Sequence, residues 1–262
     1  MITTVRSIGR VSTMPTVRGP RAVVRLPVDG AAGTLAELSL PADVRRGLEG
    51  FAAADAGLLL VVGPAGSGKT TTLYALLAEI VRRGEGLSVV TLEDPVERRL
   101  TGVTQIEVTR QGLTYETALR SMLRQDPQVL MLGEIRDPAT AKLAAQAALS
   151  GHRLVATLHA ADAAGAVGRL REMDVEPHAI RGTLFGVVAQ RLVRRRVAEG
   201  EKYQGRVPVA TFTRTSGDVL RRLVVGEPVG LPTLHDAAAV LVADGVTDGA
   251  EVARVLGSAN EK

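Results

Sequence analysis

At 262 residues the chain can bury a full hydrophobic core and is too long to be a single mini-domain. Hydrophobic residues at 45% and charged residues at 23% exclude a disordered or fibrous chain, and the absence of cysteine excludes disulfides and thiolate zinc sites. A net charge of +4, with 28 of the 32 basic residues arginine, suits acidic lipid, phosphate contacts or inter-subunit ion pairs; aromatics at 2% leave no stacking platform for single strands, so no nucleic-acid partner is expected.

The first segment, Met1 to Arg6, has no apolar signal core, and no apolar run approaches bilayer length, so the expected location is the cytoplasm. Residues 10–16 and 21–26 alternate apolar and polar side chains around a turn at Pro15 to Gly19 and predict a hairpin. A stretch rich in Gly, Ala and Pro over 29–42 reads as a linker, and a short helix over 42–54 follows.

The apolar run Leu58 to Val62 predicts a buried strand. It leads into Gly63-Pro64-Ala65-Gly66-Ser67-Gly68-Lys69-Thr70-Thr71 and then a helix. Glycines at 63, 66 and 68 let consecutive N–H groups point inward at phosphate oxygens, and the helix N-terminus adds to that anion site. Lys69 is placed to reach the β- and γ-phosphates, and the hydroxyl of Thr70 to ligate Mg²⁺.

A second buried strand over 87–92 ends in Glu93-Asp94-Pro95-Val96-Glu97. Carboxylates at the end of a parallel strand lie where the phosphates also lie, so these acids are candidates to act on Mg²⁺ or water. A hairpin-like piece spans 104–108, and helical spacing covers 114–124 with Thr114 as its cap. The apolar strand 129–132 is followed by Gly133 and Glu134; with glycine where an aspartate is usual, Glu134 must serve alone or with Asp94 and Glu97.

An alanine-rich helix over 139–149 precedes a strand with His152 and His159 at its ends. His159 follows an apolar strand of the same sheet and is assigned hydrogen bonding or phosphate sensing; no two of the four histidines have ligand spacing, which argues against a metal site. Helices are predicted over 162–173 and 178–189, the latter running into the basic stretch 190–196, read either as a solvated face or as a subunit interface. A strand over 205–212 and short helices over 217–225, 233–243 and 248–256 complete the chain.

In combination these motifs resemble the secretion ATPases of type II secretion and type IV pilus systems, over residues 10–257. Gly63 to Thr70 looks like the family's Walker A loop, and Thr91 to Glu97 like its acidic box. Leu123 to Asp137 is similar to its unusual Walker B region, Gly151 to His159 to its histidine box, and Gln190 to Arg194 to its following signature.

The resemblance implies an α/β fold, a RecA-like nucleotide-loop domain with a mostly parallel central sheet flanked by helices, spanning 43–196. It also implies a remnant of a preceding domain over 1–30, a linker over 31–42 and a mainly helical C-terminal subdomain over 197–262. ATP and Mg²⁺ are implied as ligands. The roles carried over are ATP binding for residues 63–71, Mg²⁺ association for Thr70, Glu134 and Asp94, water activation for Glu97, support of Mg²⁺ and water by Glu134, and γ-phosphate sensing for His159. Arg10 and Arg25 match arginines that the preceding domain brings to the nucleotide.

Partners implied are further copies of the chain in a ring of six and an inner-membrane platform protein, placing the protein peripherally at that membrane. The chain departs from many assembly-type members in lacking the four-cysteine zinc loop after Arg196. A DNA translocase of the same broad class and a non-hydrolysing nucleotide-dependent scaffold are the alternative readings.

Overall fold

The computed structural model describes residues 10–25, 33–84, 86–108, 113–197, 203–215 and 217–257, with the side chains of residues 10, 11 and 25 outside that set. The strands are β1 (Arg10–Thr16), β2 (Gly19–Arg25), β3 (Gly57–Val62), β4 (Val89–Glu93), β5 (Thr104–Glu107), β6 (Val129–Leu132), β7 (Arg153–Leu158), β8 (Leu184–Arg196) and β9 (Tyr203–Arg214). The helices are α1 (Ala42–Ala52), α2 (Lys69–Arg82), α3 (Tyr115–Met122), α4 (Pro138–Leu149), α5 (Ala163–Glu172), α6 (Pro177–Thr183), α7 (Gly217–Val225), α8 (Leu234–Ala243) and α9 (Gly249–Leu256).

β1 and β2 form an antiparallel ribbon, as the alternation predicts. The other strands make one seven-stranded sheet in the order β5-β4-β6-β7-β3-β8-β9, parallel except for the β8–β9 pair. Every residue of β3, β4, β6 and β7 is buried, because helices cover both faces and each strand face must be apolar.

The period of two sorts β3 between the faces. Leu58, Leu60 and Val62 pack with Leu119 of α3, Ala144 of α4 and Val167 of α5, while Leu59 and Val61 pack with Leu48 of α1 and Leu73 and Leu76 of α2. Full burial of each such leucine contributes about 1.5–3 kcal/mol, so this sandwich dominates the stability of the domain. Thr114, Asp137 and Asp162 each accept a backbone N–H as the N-cap of α3, α4 and α5, which sets where those helices begin.

Two expectations are corrected. The piece over 104–108 is no hairpin: β5 runs parallel to β4, in register Val90 to Thr104. The helix expected over 178–189 ends at Thr183, and β8 begins at Leu184. The cause is a continuous apolar run, Leu184 to Ala189, whose periodicity does not separate a buried helix from a buried strand. Glycine at 186 lets β9 pack close, since a Cβ there would stand 2.7 Å from the ring of Phe212. The strand expected over 205–212 is present and longer: β9 pairs along β8 from Tyr203 to Arg214 and adds to the central sheet.

Candidate nucleotide-binding site

Because β4, β6, β7 and β3 are neighbours and parallel, their C-terminal ends deliver Asp94, Glu134, His159 and the glycine loop to one edge of the sheet, and Gln190, midway along the parallel β8, follows the residue paired with the end of β3. The loop between β3 and α2 is tightly fitted on its inner side. Gly63 has φ +154°, and a Cβ there would stand 2.4 Å from the backbone oxygen of Gln190 and 2.6 Å from Ser67 Oγ. Gly68, the left-handed N-cap of α2 at φ +87°, would put a Cβ 2.8 Å from Gln190 Nε2. Pro64, Ala65 and Gly66 are exposed on the outer side, as is Thr71, and Thr70 is partly so at the first turn of α2.

Lys69 is buried and folds back on its own loop. Its Nζ donates to the carbonyls of Gly63 at 2.7 Å and Pro64 at 2.8 Å. Burial first, and then the nearby Arg191, push its ammonium below the usual lysine range, while Glu134 works the other way. Ser67 Oγ is buried with no hydrogen-bond partner among the described residues. A cation held only by neutral carbonyls, an unpartnered buried hydroxyl and a helix N-terminus fit a polyphosphate, which would supply the missing acceptors and negative charge.

Around the lysine stands a connected polar group. His159 Nε2 lies 2.7 Å from Glu134 Oε1, and its Nδ1 lies 3.2 Å from the Gly63 carbonyl oxygen that also accepts Lys69. Glu134 Oε2 accepts Arg136 Nε at 2.6 Å, and Arg136 stands 3.8 Å from Asp94. The turn carrying Glu134 is pinned by Gly133 N donating to Leu92 O, Thr157 Oγ1 donating to Gly133 O and Ile135 N donating to Thr157 O. Of the residues singled out in the sequence, Lys69, Glu134, His159 and Asp94 are thus drawn together.

Glu97 is exposed on the loop after β4 and makes no contact with that group among the described residues; its charge is felt by Glu93. Arg10 and Arg25 face each other across the β1–β2 register, and their side chains fall outside the described residues.

Of the three acids of the box, Glu93 is the buried one. It is 2% exposed and turned into the protein, where it accepts the Tyr74 hydroxyl of α2, Thr91 Oγ1 at 2.6 Å and Gln105 Nε2 at 3.1 Å. Burial pushes its carboxyl above the usual range despite those hydrogen bonds. Gln105 also donates to Arg98 O and accepts from Leu100 N, so the cluster ties the helix behind the glycine loop to the segment that carries Glu97. Tyr74→Phe should therefore lower stability by about 1–2 kcal/mol, measured by denaturant unfolding, because it leaves a buried carboxylate oxygen short of a donor. A change within about 0.3 kcal/mol would mean that the cluster repairs itself.

Two residues on β8 were missed as site components. Gln190, 2% exposed, donates through Nε2 to Ser67 O and accepts Thr72 Oγ1, each at 2.8 Å, and so clasps both ends of the loop. Arg191 stands beside Gly63. The available signal was their place directly after the apolar run, where β8 passes the end of its pairing with β3.

A parallel sheet whose central strand opens into this loop, with a lysine and a helix N-terminus turned toward it, defines a nucleotide-loop protein. The chain belongs to the type II/IV secretion system protein family, whose sequence profile matches residues 2–234. It is 42% identical over 232 residues to a putative type II secretion system protein E of Escherichia coli, covering 87% of this chain and 46% of that protein. To the type II secretion system protein HxcR of Pseudomonas aeruginosa it is 49% identical over 189 residues, covering 71% of this chain and 40% of that protein. To the type IV pilus assembly ATPase PilB of Thermus thermophilus it is 45% identical over 188 residues, covering 71% and 21%. The chain therefore spans less than half the length of these relatives.

The fold is that of the pilus retraction motor PilT, solved with bound ADP, at a TM-score of 0.81 and 24% identity over 98% of this chain and 76% of that one. The Legionella pneumophila ATPase DotB superposes with a TM-score of 0.74 at 22% identity, over 95% and 72%.

Proposed function

We propose that this chain binds and hydrolyses ATP and is the motor part of a type II secretion or type IV pilus assembly machine. The observation that carries this reading is the convergence of Lys69 and His159 on the Gly63 carbonyl with Glu134 bonded to His159, at the edge where a nucleotide loop meets the sheet. Family membership and the names of the relatives support the pathway.

In this mechanism the loop N–H groups and Lys69 hold the phosphates, and Thr70 and Glu134, with Asp94 beside them, hold Mg²⁺, which supplies charge neutralisation. Glu97 orients or deprotonates the attacking water. His159 links the state of the phosphates to Glu134. Arg10 and Arg25 bring bidentate donors to the nucleotide. The working form is a ring of six at the cytoplasmic face of the inner membrane, docked on a platform protein, in which hydrolysis moves one domain against another to drive pilin-like subunits.

Phosphate release by wild-type and Glu97→Gln protein, with nucleotide binding measured in parallel, tests the reading. The variant should bind ATP and lose turnover by at least about 100-fold. Turnover at the wild-type rate would remove Glu97 from the chemistry, and no phosphate release by the wild type would remove the motor.

A further inference from the structure

We infer that Arg191 is a phosphate-binding residue supplied by the chain's own strand β8, and that it contacts the terminal phosphate of a bound nucleoside triphosphate. The inference rests on the nucleotide reading above and assigns a role to a residue that the loop, acidic-box and histidine motifs leave out.

Placement comes first. β8 runs parallel to β3 with Ala189 opposite Val62, so the next residues of β8, Gln190 and Arg191, flank the start of the glycine loop. Gln190 is engaged at both ends of its amide: Nε2 donates to Ser67 O and Oε1 accepts Thr72 Oγ1. Arg191 turns to Gly63, where its NH1 lies 3.1 Å from the position that a Cβ would take. The guanidinium thus sits against the residue whose carbonyl already receives Lys69 and His159.

Charge comes next. A guanidinium offers five N–H donors, and among the described residues the one hydrogen bond Arg191 makes is from NH1 to the carbonyl of Gln190, at 2.9 Å. It has no ion pair among the described residues. Asp162 is the acid whose charge favours it, and that carboxylate accepts Gly165 N at 2.8 Å as the cap of α5. Burial opposes the charged form of Arg191, and Arg191 in turn works against the charge of Lys69. Two partly desolvated cations near one another, with their acids engaged elsewhere, would both be relieved by an anion placed between them.

The position also selects the phosphate. Lysine in this motif reaches the β- and γ-phosphates, while the loop N–H groups and the helix N-terminus hold the earlier ones. Arg191 stands against Gly63, whose carbonyl the lysine head also meets, and this shared neighbour is the ground for placing it at the far end of the polyphosphate. A planar fork there reads the extra phosphate that distinguishes ATP from ADP.

The test is a fluorescence titration of wild-type, Arg191→Gln and Arg191→Lys proteins with ADP and with a non-hydrolysable ATP analogue. Arg191→Gln should weaken the analogue about tenfold, about 1.4 kcal/mol, and leave ADP within about twofold. Arg191→Lys should recover part of the loss, since charge returns without the fork. Equal losses for both nucleotides, or no loss for either, would overturn the assignment. A melting temperature matching wild type establishes that each variant is folded; if Arg191→Gln does not fold, Arg191→Lys decides, and an unchanged analogue-to-ADP ratio overturns the assignment. Wild type that binds neither nucleotide would sink the nucleotide reading and this inference with it, whereas wild type that binds both beside an unaffected Arg191→Gln sinks this inference alone.

Discussion

Lys69→Ala is expected to abolish measurable nucleotide binding and hydrolysis while leaving the fold in place. In the free protein the ammonium is buried against two neutral carbonyls, an arrangement in which burial works against the charge. Removing it takes a desolvated cation from the loop. Of the two carbonyls left behind, that of Gly63 keeps His159 Nδ1 at 3.2 Å, and that of exposed Pro64 can turn to water. The folded state therefore changes by no more than about 1 kcal/mol, the ordinary scale of a substitution that opens no core cavity.

The bound state loses far more. A triphosphate brings several negative charges to a loop whose other donors are neutral N–H groups, and Lys69 is the charge that meets them as the transferred phosphoryl spreads its own. A loss on the order of 10²–10³ in turnover is the scale set by removing one preorganised donor in such sites. Binding of a fluorescent nucleotide and phosphate release measure the two effects separately, and a melting curve checks the fold. Turnover within tenfold of wild type would show that the lysine is not aimed at the phosphates.

Much of this was legible in the sequence, and the reasons differ by element. The β3–loop–α2 unit could be read because each residue type there has a local cause: an apolar run for a strand buried on both faces, glycines where backbone approaches backbone, a lysine at the helix start. Glu134 and His159 could be placed because strand ends of a parallel sheet share an edge. β8 could not be read in the same way. Leu184 to Ala189 is apolar on both faces, and only the pairing with β3 and β9 decides that it is a strand. That error hid Gln190 and Arg191, since a helix ending in a basic run carries no implication that two of its residues meet the glycine loop. The burial of Glu93 could not be read for a related reason. The three acids of the box look alike in sequence, and the tertiary partners Tyr74 and Gln105 select the one that turns inward.

Glu251→Gln is expected to cost about 2–3 kcal/mol at neutral pH and to loosen α8 and α9 from the sheet before the rest of the domain unfolds. The apolar contact between those helices and the β8–β9 end is thin: its fully buried members are Val193, Val207, Val209 and Ala238, and Ala238 is the one buried residue of α8. Polar contacts make up the difference. Glu251, 1% exposed on α9, accepts Arg194 N at 2.9 Å, Arg194 NH2 at 2.6 Å and Arg254 NH2 at 2.6 Å. Arg194 stacks 4.0 Å over the ring of Tyr203, whose hydroxyl donates to Asp248, the cap of α9, at 2.8 Å.

Breaking a buried ion pair costs about 3–5 kcal/mol, and the lower figure applies because both guanidinium groups reach solvent. Arg254 first, and Arg194 after it, hold the Glu251 carboxyl well below the usual carboxylate range, against burial, which raises it. A carboxyl depressed in the folded state stabilises that state fully above its unfolded value, about 4.3, and loses this contribution as pH falls through that value toward the folded one. The stability gap between wild type and Glu251→Gln should accordingly be largest near pH 7 and should shrink by pH 3, as read from denaturant unfolding at each pH. Amide exchange in α8 and α9 should quicken in the variant more than exchange in β3 or β7. A gap that is the same at pH 7 and pH 3 would mean that the charge of Glu251 is not what binds the helices. Because Arg194 lies on β8 only three residues beyond Arg191, the same experiment also asks whether the strand end at the glycine loop stays set when its far attachment is released.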